Sequence, residues 1–453
     1  MRFDGFYKML EYHASLRPDA AALLYESDGK KVSVSYSSLL ASVSRRTEEL
    51  KQYGKTALGI ICDVTIESVT EIFASVEAGM QTVMLDDNVT PEILRLTDVD
   101  MLWGDDEIKD EMAPYLSDGL PSPGFGKGKI LFFTSGTTSK NKAVELTEKS
   151  LCSSAYNGSA LLPLSEDDIL MCMLPLAHVF GFVCGLLWGL SSGACVALGR
   201  GARHYFDDLS FFRPTALSAV PLLAGFLIQR KLFNPELKLV LIGAGECPET
   251  IPSYLKQAGI RLSFGYGLTE TSSGVALSLG DDPYSMTVCP DDEISIADDG
   301  EILIKAPTCM MQGYYKDPGS TEKVLRGGIL HTGDLGEIDR EGRLRVTGRK
   351  KEILVLGDGT KIFIPEYESS LGAALAGYDY AVISEGGFPC LVVSGDEQKK
   401  EIISDLLSPV MKGYPYGKQI KKYFFIDRPI PRTQTGKVKR WEIYDIIKNQ
   451  KNI

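Results

Sequence analysis

Residues 134–142, Thr-Ser-Gly-Thr-Thr-Ser-Lys-Asn-Lys, put five hydroxyls, one glycine and two lysines into nine positions after the apolar run Ile130-Leu-Phe-Phe. Such a stretch can wrap an anion, because hydroxyls and exposed backbone N–H groups donate to phosphate oxygens and a lysine adds a movable positive charge. It is not a Walker A loop: the GxxxxGK[ST] spacing is absent, and Ala143 follows Lys142. Further segments place reactive side chain types beside strands: Gly243-Ala244-Gly245-Glu246, Phe264-Gly-Tyr-Gly-Leu-Thr-Glu270, Asp334 and Arg349 in HTGDLGEIDREGRLRVTGRKKEI, and Lys437 in PRTQTGKVKR. Taken singly, each has a plain structural reading. A hydroxyl-rich cluster is a solvated turn, Gly243 to Gly245 a strand end, Thr269 a helix N-cap with Glu270 in the first turn, and Asp334 a turn residue. The basic run around Lys437 is then solvated surface.

Their order along one chain changes that balance. Together they resemble the motifs of the adenylate-forming superfamily, which includes acyl-CoA synthetases, the adenylation domains of peptide synthetases and luciferases. The resemblance runs from about Tyr36 to Arg440 and is specific from Ile130 onward. It implies that Thr134, Ser135, Gly136, Thr137, Thr138 and Lys142 hold the phosphates of ATP, although the family usually carries glycine at Ser139 and proline at Asn141. It further implies that Gly245 and Glu246 line the adenine and acyl pockets, that Tyr266 with Gly267 stacks on adenine, and that Thr269 touches the α-phosphate. Glu270 would hold Mg²⁺, a hard cation suited to carboxylate and phosphate oxygens. Asp334 would accept from the ribose hydroxyls with Arg349 nearby, Lys351 would be the pivot of a C-terminal domain, and Lys437 the catalytic lysine. A lysine suits that role: carboxylate and α-phosphate must meet despite like charge, and charge grows on the bridging oxygens.

Between these motifs, Leu174-Pro-Leu-Ala-His178-Val-Phe-Gly181 resembles the entry to the family's carboxylate site, with His178 in a positional role; a lone histidine beside apolar residues is otherwise a core residue. Adenylation domains for α-amino acids usually place an aspartate here to pair with the substrate ammonium. This chain has Ala177-His178-Val179-Phe180 instead, and a buried unpaired ammonium is costly. The implied substrate is therefore a carboxylic acid without an α-amino group, fatty or aromatic. The implied reaction joins acid and ATP into acyl-AMP with release of pyrophosphate, and then passes the acyl group to coenzyme A. Two alternatives stay open: transfer to a carrier-protein thiol, and a non-catalytic nucleotide- or acyl-binding protein.

Elements must hold these residues in place. Ala57-Leu-Gly-Ile-Ile-Cys, the helically spaced IESVTEIFASVEAG and Thr82-Val-Met-Leu-Asp read as a βαβ unit, and similar alternation recurs through residue 267. After Gly280 the pattern changes to short alternating strands with Asp-Asp-Gly and Arg-Glu-Gly turns. The fold expected is α/β: a large N-terminal domain, 1–348, of two mostly parallel sheets and a β-rich subdomain, and a small mobile α+β C-terminal domain, 349–453, with a helix from Glu397 to Met411.

Composition bounds the reading. The 453 residues are 44% hydrophobic and 24% charged, ordinary for globular protein, and the length is that of about three domains. A net charge of −12 argues against a nucleic-acid partner. Nine scattered cysteines without a CxxC pair argue against zinc and disulfides. Residues 1–17 lack a long apolar run, and Val179 to Leu190 is too short to span a bilayer. A cytoplasmic enzyme without stable membrane insertion is expected.

Overall fold

Strand, helix, strand is the unit that starts the chain's first sheet. In a computed structural model that describes all residues except 118–128, 135–141, 246, 249, 281, 356–360, 386–387, 433–437 and 452–453, Ala57–Ile61 and Gln81–Leu85 are buried throughout. They pair in parallel, Ala57 opposite Gln81. Burial on both faces is why both strands are nearly continuous apolar runs. Ile66–Glu77 makes the crossover, its first turn capped by Thr65, which accepts from the Ser68 amide. The sheet runs Gly313–Tyr314, Ala143–Thr147, Lys129–Phe133, Gln81–Leu85, Ala57–Ile61, Met101–Trp103, antiparallel only at its first two junctions.

The second sheet begins as expected, with parallel Cys195–Leu198, Ile169–Cys172, Ala216–Ala219, Leu239–Ile242 and Arg261–Leu268. The β-rich region is not a separate sheet. Arg261–Leu268 pairs in parallel with Leu239–Ile242 over residues 261–264, then antiparallel with Ser273–Ser278 over residues 265–268. A connection of four residues is too short for a parallel crossover, so the chain must double back and the sheet changes sense within one strand. Beyond that switch follow Met286–Val288, Leu344–Arg349, Ile329–Ile338, Glu301–Lys305 and Glu293–Ile296; with Ala21–Ser27 and Lys30–Ser35 beyond Cys195–Leu198 at the other edge, and Leu325–Arg326 beside Ile329–Ile338, the sheet has fourteen strands among the described residues.

Beyond residue 353 lie two apolar clusters whose buried members all fall between Leu354 and Ile447. They pack around the sheet Tyr380–Glu385, Phe388–Ser394, Lys422–Ile426 and the helices Ile364–Leu371, Lys400–Lys412 and Arg440–Lys451. The helix expected from Glu397 begins at Lys400, because Glu397–Lys399 forms a 3₁₀ turn capped by Asp396. The apolar stretch after His178 is buried and helical, with a π turn at Val183–Leu187 between Val179–Phe182 and Trp188–Ser191. Among the described residues no helix is long and apolar enough to cross a membrane.

Candidate active site

The switch strand Arg261–Leu268 delivers Tyr266, and the antiparallel pair Ile329–Ile338 and Leu344–Arg349 sets Asp334 directly opposite Arg349. The Tyr266 hydroxyl donates to Asp334 Oδ2 at 2.9 Å, and Arg349 Nε lies 2.6 Å from Asp334 Oδ1. The Asp334 side chain is 3% exposed, yet Oδ1 has no hydrogen-bond donor aligned on it; the Arg349 contact is ionic only. A buried carboxylate oxygen in that state is uncommon, because buried polar atoms are nearly always hydrogen-bonded. Burial, then the Asp334 charge, pushes the Tyr266 phenol well above its usual pKa. Burial works against the Arg349 charge, but Asp334, Glu352, Tyr266 and Glu270 more than offset it and raise its pKa.

Past the strand, Thr269–Thr271 is a 3₁₀ turn. Thr269 is not its N-cap: the Thr271 hydroxyl accepts from the Leu268 amide at 3.0 Å, leaving Thr269 and Glu270 half-buried within the turn. Gly267 lets the chain pass. A Cβ there would stand 1.8 Å from the Ser273 carbonyl oxygen, so only glycine fits the crossing.

Glu270 is gripped twice by one segment: its carbonyl accepts from the Met311 amide at 2.8 Å, and Oε1 accepts from the Tyr314 hydroxyl at 2.7 Å. Lys142 Nζ lies 4.2 Å from the centre of the Tyr314 ring. The hydroxyl-rich loop is closed at its base, where the Thr134 amide donates to the Lys142 carbonyl at 3.1 Å beside the register pair Phe133 and Ala143. A nucleotide phosphate lying against Lys142 and Glu270 would meet one cation and one carboxylate on either side of a single phenol.

A family model described as AMP-binding enzyme matches residues 128–315. Over 344 residues the chain is 30% identical to the indoleacetate–CoA ligase of Aromatoleum aromaticum, a match covering 70% of this chain and 67% of that protein. The chain belongs to the AMP-binding, adenylate-forming enzymes. Over 345 residues it is 29% identical to a probable CoA ligase of Humulus lupulus, covering 69% of this chain and 64% of that one. Its fold matches the solved structure of O-succinylbenzoate coenzyme A synthetase from Bacillus subtilis in complex with AMP, with a TM-score of 0.81 and 24% identity. That superposition covers 96% of this chain and 97% of that one.

Within this adenylate-forming enzyme the described contacts unite Tyr266, Asp334 and Arg349 in one group and Thr134, Lys142 and Glu270 in another, with the Arg349 charge coupled to both. Gly245 sits beside Pro221, and Gly243 presses on the Phe180 ring, where a Cβ would stand 3.0 Å from Cε2 and Cζ. His178 lies at the N-terminus of the Val179–Phe182 turn, its carbonyl accepting from the Phe182 amide at 2.9 Å. Lys351 falls in the 3₁₀ turn Lys350–Glu352 that follows Arg349. Ser135, Gly136, Thr137, Thr138, Ser139, Asn141, Glu246 and Lys437 lie outside the described residues.

Sequence reasoning missed Tyr314, whose role arises only when Gly313–Tyr314 joins the first sheet, Tyr314 opposite Val144. It also missed Glu301, which binds the Gly333 amide at 2.8 Å and the Lys350 ammonium at 2.8 Å, bracing the turn before Asp334. No local spacing marks either residue. Glu270 fits a Mg²⁺ ion: it is a half-buried hard carboxylate with Oε1 held by the Tyr314 hydroxyl. Among the described residues no cluster of three or more His, Cys, Asp or Glu could hold a metal.

Proposed function

We propose that the protein activates a carboxylic acid with ATP to an acyl-adenylate and pyrophosphate, then makes the coenzyme A thioester with release of AMP. The observation that carries this is the Tyr266, Asp334, Arg349 group, with Asp334 Oδ1 buried beside a cation and without an aligned donor from the described residues. Tyr266 presents its ring to adenine, and Asp334 takes the ribose diol. Thr134, Lys142 and the loop they close hold the phosphates, with Thr269 at the α-phosphate. Mg²⁺ bound at Glu270 would neutralise charge on the phosphates.

The acid carboxylate attacks the α-phosphorus in line and pyrophosphate leaves. Lys437 brings the two anions together and stabilises the charge on the bridging oxygens. The thiol of coenzyme A then attacks the acyl carbonyl and AMP departs. Residues 349–453 act as a second domain that pivots at Lys351 and withdraws Lys437 between the half-reactions. The acid is one without an α-amino group and with an aromatic ring, supported by the Ala177-His178-Val179-Phe180 segment and by the acids named for two relatives, indoleacetate and O-succinylbenzoate. Nine cysteines, none paired, support a reducing, cytoplasmic setting.

The test is acid-dependent exchange of labelled pyrophosphate into ATP with Mg²⁺, over short, long-chain and aromatic acids, beside Lys437→Ala. Exchange with aromatic acids, abolished in the variant, is the expected result. A folded protein that binds ATP yet exchanges with no acid would make the chain a binding protein.

A further inference from the structure

We propose that Tyr314 is a positioning residue for the metal and phosphate half of the site: its hydroxyl fixes the Glu270 carboxylate while its ring face seats Lys142. The proposal rests on the adenylating function above. Tyr314 is 8% exposed and makes both contacts at once, 2.7 Å from its hydroxyl to Glu270 Oε1 and 4.2 Å from its ring centre to Lys142 Nζ. Donation to Oε1 leaves Oε2 as the oxygen that can face a cation. A lysine over a ring is held by the ring's negative face, which restrains the ammonium without neutralising it as a carboxylate would. A phenol between them therefore keeps a negative and a positive group near one another without letting them collapse into an ion pair.

The tyrosine itself is locked. Its amide donates to Thr321 Oγ1 at 2.9 Å, and its strand pairs with Ala143–Thr147, which begins one residue after Lys142. The Met311 amide holds the Glu270 backbone from the same segment. Residues 311–314 thus tie the turn carrying Glu270 to the strand leaving the phosphate loop. Groups that orient a metal-facing carboxylate commonly change metal affinity by about ten- to a hundredfold when removed.

Tyr314→Phe keeps the ring and removes only the hydroxyl, whereas Tyr314→Leu removes both contacts. The probes are Mn²⁺, followed by electron paramagnetic resonance in the presence of α,β-methylene-ATP, and the same analogue alone without metal. Tyr314→Phe is expected to raise the Mn²⁺ dissociation constant about tenfold, to leave metal-free analogue binding unchanged, and to add nothing further in a Glu270→Gln background. Tyr314→Leu is expected to weaken metal-free binding as well. Wild-type Mn²⁺ affinity in Tyr314→Phe, with Glu270→Gln impaired, overturns the proposal while leaving the functional reading intact. Wild-type affinity in both variants overturns the metal role of Glu270, and the proposal with it.

Discussion

Asp334 and Arg349 face each other across one antiparallel strand pair, Nε 2.6 Å from Oδ1, without a hydrogen bond aligned on that oxygen. The pairing sets a cation against a buried acceptor, and 37% of the arginine side chain remains open to solvent. Asp334→Asn keeps the shape and removes the charge. Since hydrogen bonds to charged groups are the stronger ones, ATP affinity should fall about tenfold or more. Equilibrium titration of ATP against the folded variant measures this, and unchanged affinity would remove Asp334 from the ribose site.

Gly267 is solvent-exposed, and exposed substitutions usually change stability little. Here the Cβ of alanine would meet the Ser273 carbonyl oxygen at 1.8 Å, and backbone on both sides must give way. Gly267→Ala should destabilise by about 1–3 kcal/mol, read from the denaturant midpoint, and should weaken ATP binding because Tyr266 and Thr269 flank the crossing.

Gly243 and Phe180 join the end of the strand Leu239–Ile242 to the segment after His178. A methyl at Gly243 would crowd the Phe180 ring at 3.0 Å, tight enough to displace it. Gly243→Ala should reduce kcat/KM in pyrophosphate exchange about tenfold, and Phe180→Ala in the same chain should recover much of the loss. Equal activity of Gly243→Ala and wild type would show that this contact does not reach the acyl site.

Asp292 is 8% exposed, and neither carboxylate oxygen has an aligned donor. Burial, then the Asp291 charge, pushes its pKa up to about 7, against smaller pulls from Asn157 and Arg2. A carboxyl whose folded-state pKa lies above its unfolded value of 3.8 binds a proton more tightly in the native state. Its contribution is present in full below that value and is lost as pH rises to about 7. Glu148, pushed up to about 7 chiefly by burial, acts with the same sign. Asp292→Asn should be more stable than wild type at pH 8, by about 1–3 kcal/mol, and should show a shallower fall in stability from pH 4 to 7. Parallel stability curves for the two proteins would rule the effect out.

Much of this molecule was readable in the order of its residues. The strand Lys129–Phe133, the turn at Thr269 and Glu270 and the strand before that turn are local patterns, and a local pattern survives in the sequence because neighbouring residues build it. The apolar runs at 57–61 and 239–242 announced covered parallel strands for the same reason.

What only the tertiary structure decided is which distant strands meet. Tyr314 lies 44 residues from Glu270 and touches it because a two-residue strand pairs with Ala143–Thr147. The β-rich region became part of the second sheet because one strand pairs in opposite senses along its two halves. Pairing register across long stretches of chain is set by the packing of whole elements, and no spacing of residues along the chain records it. The sequence alone determined which kinds of groups the chain offers, and the fold decided which of them stand together.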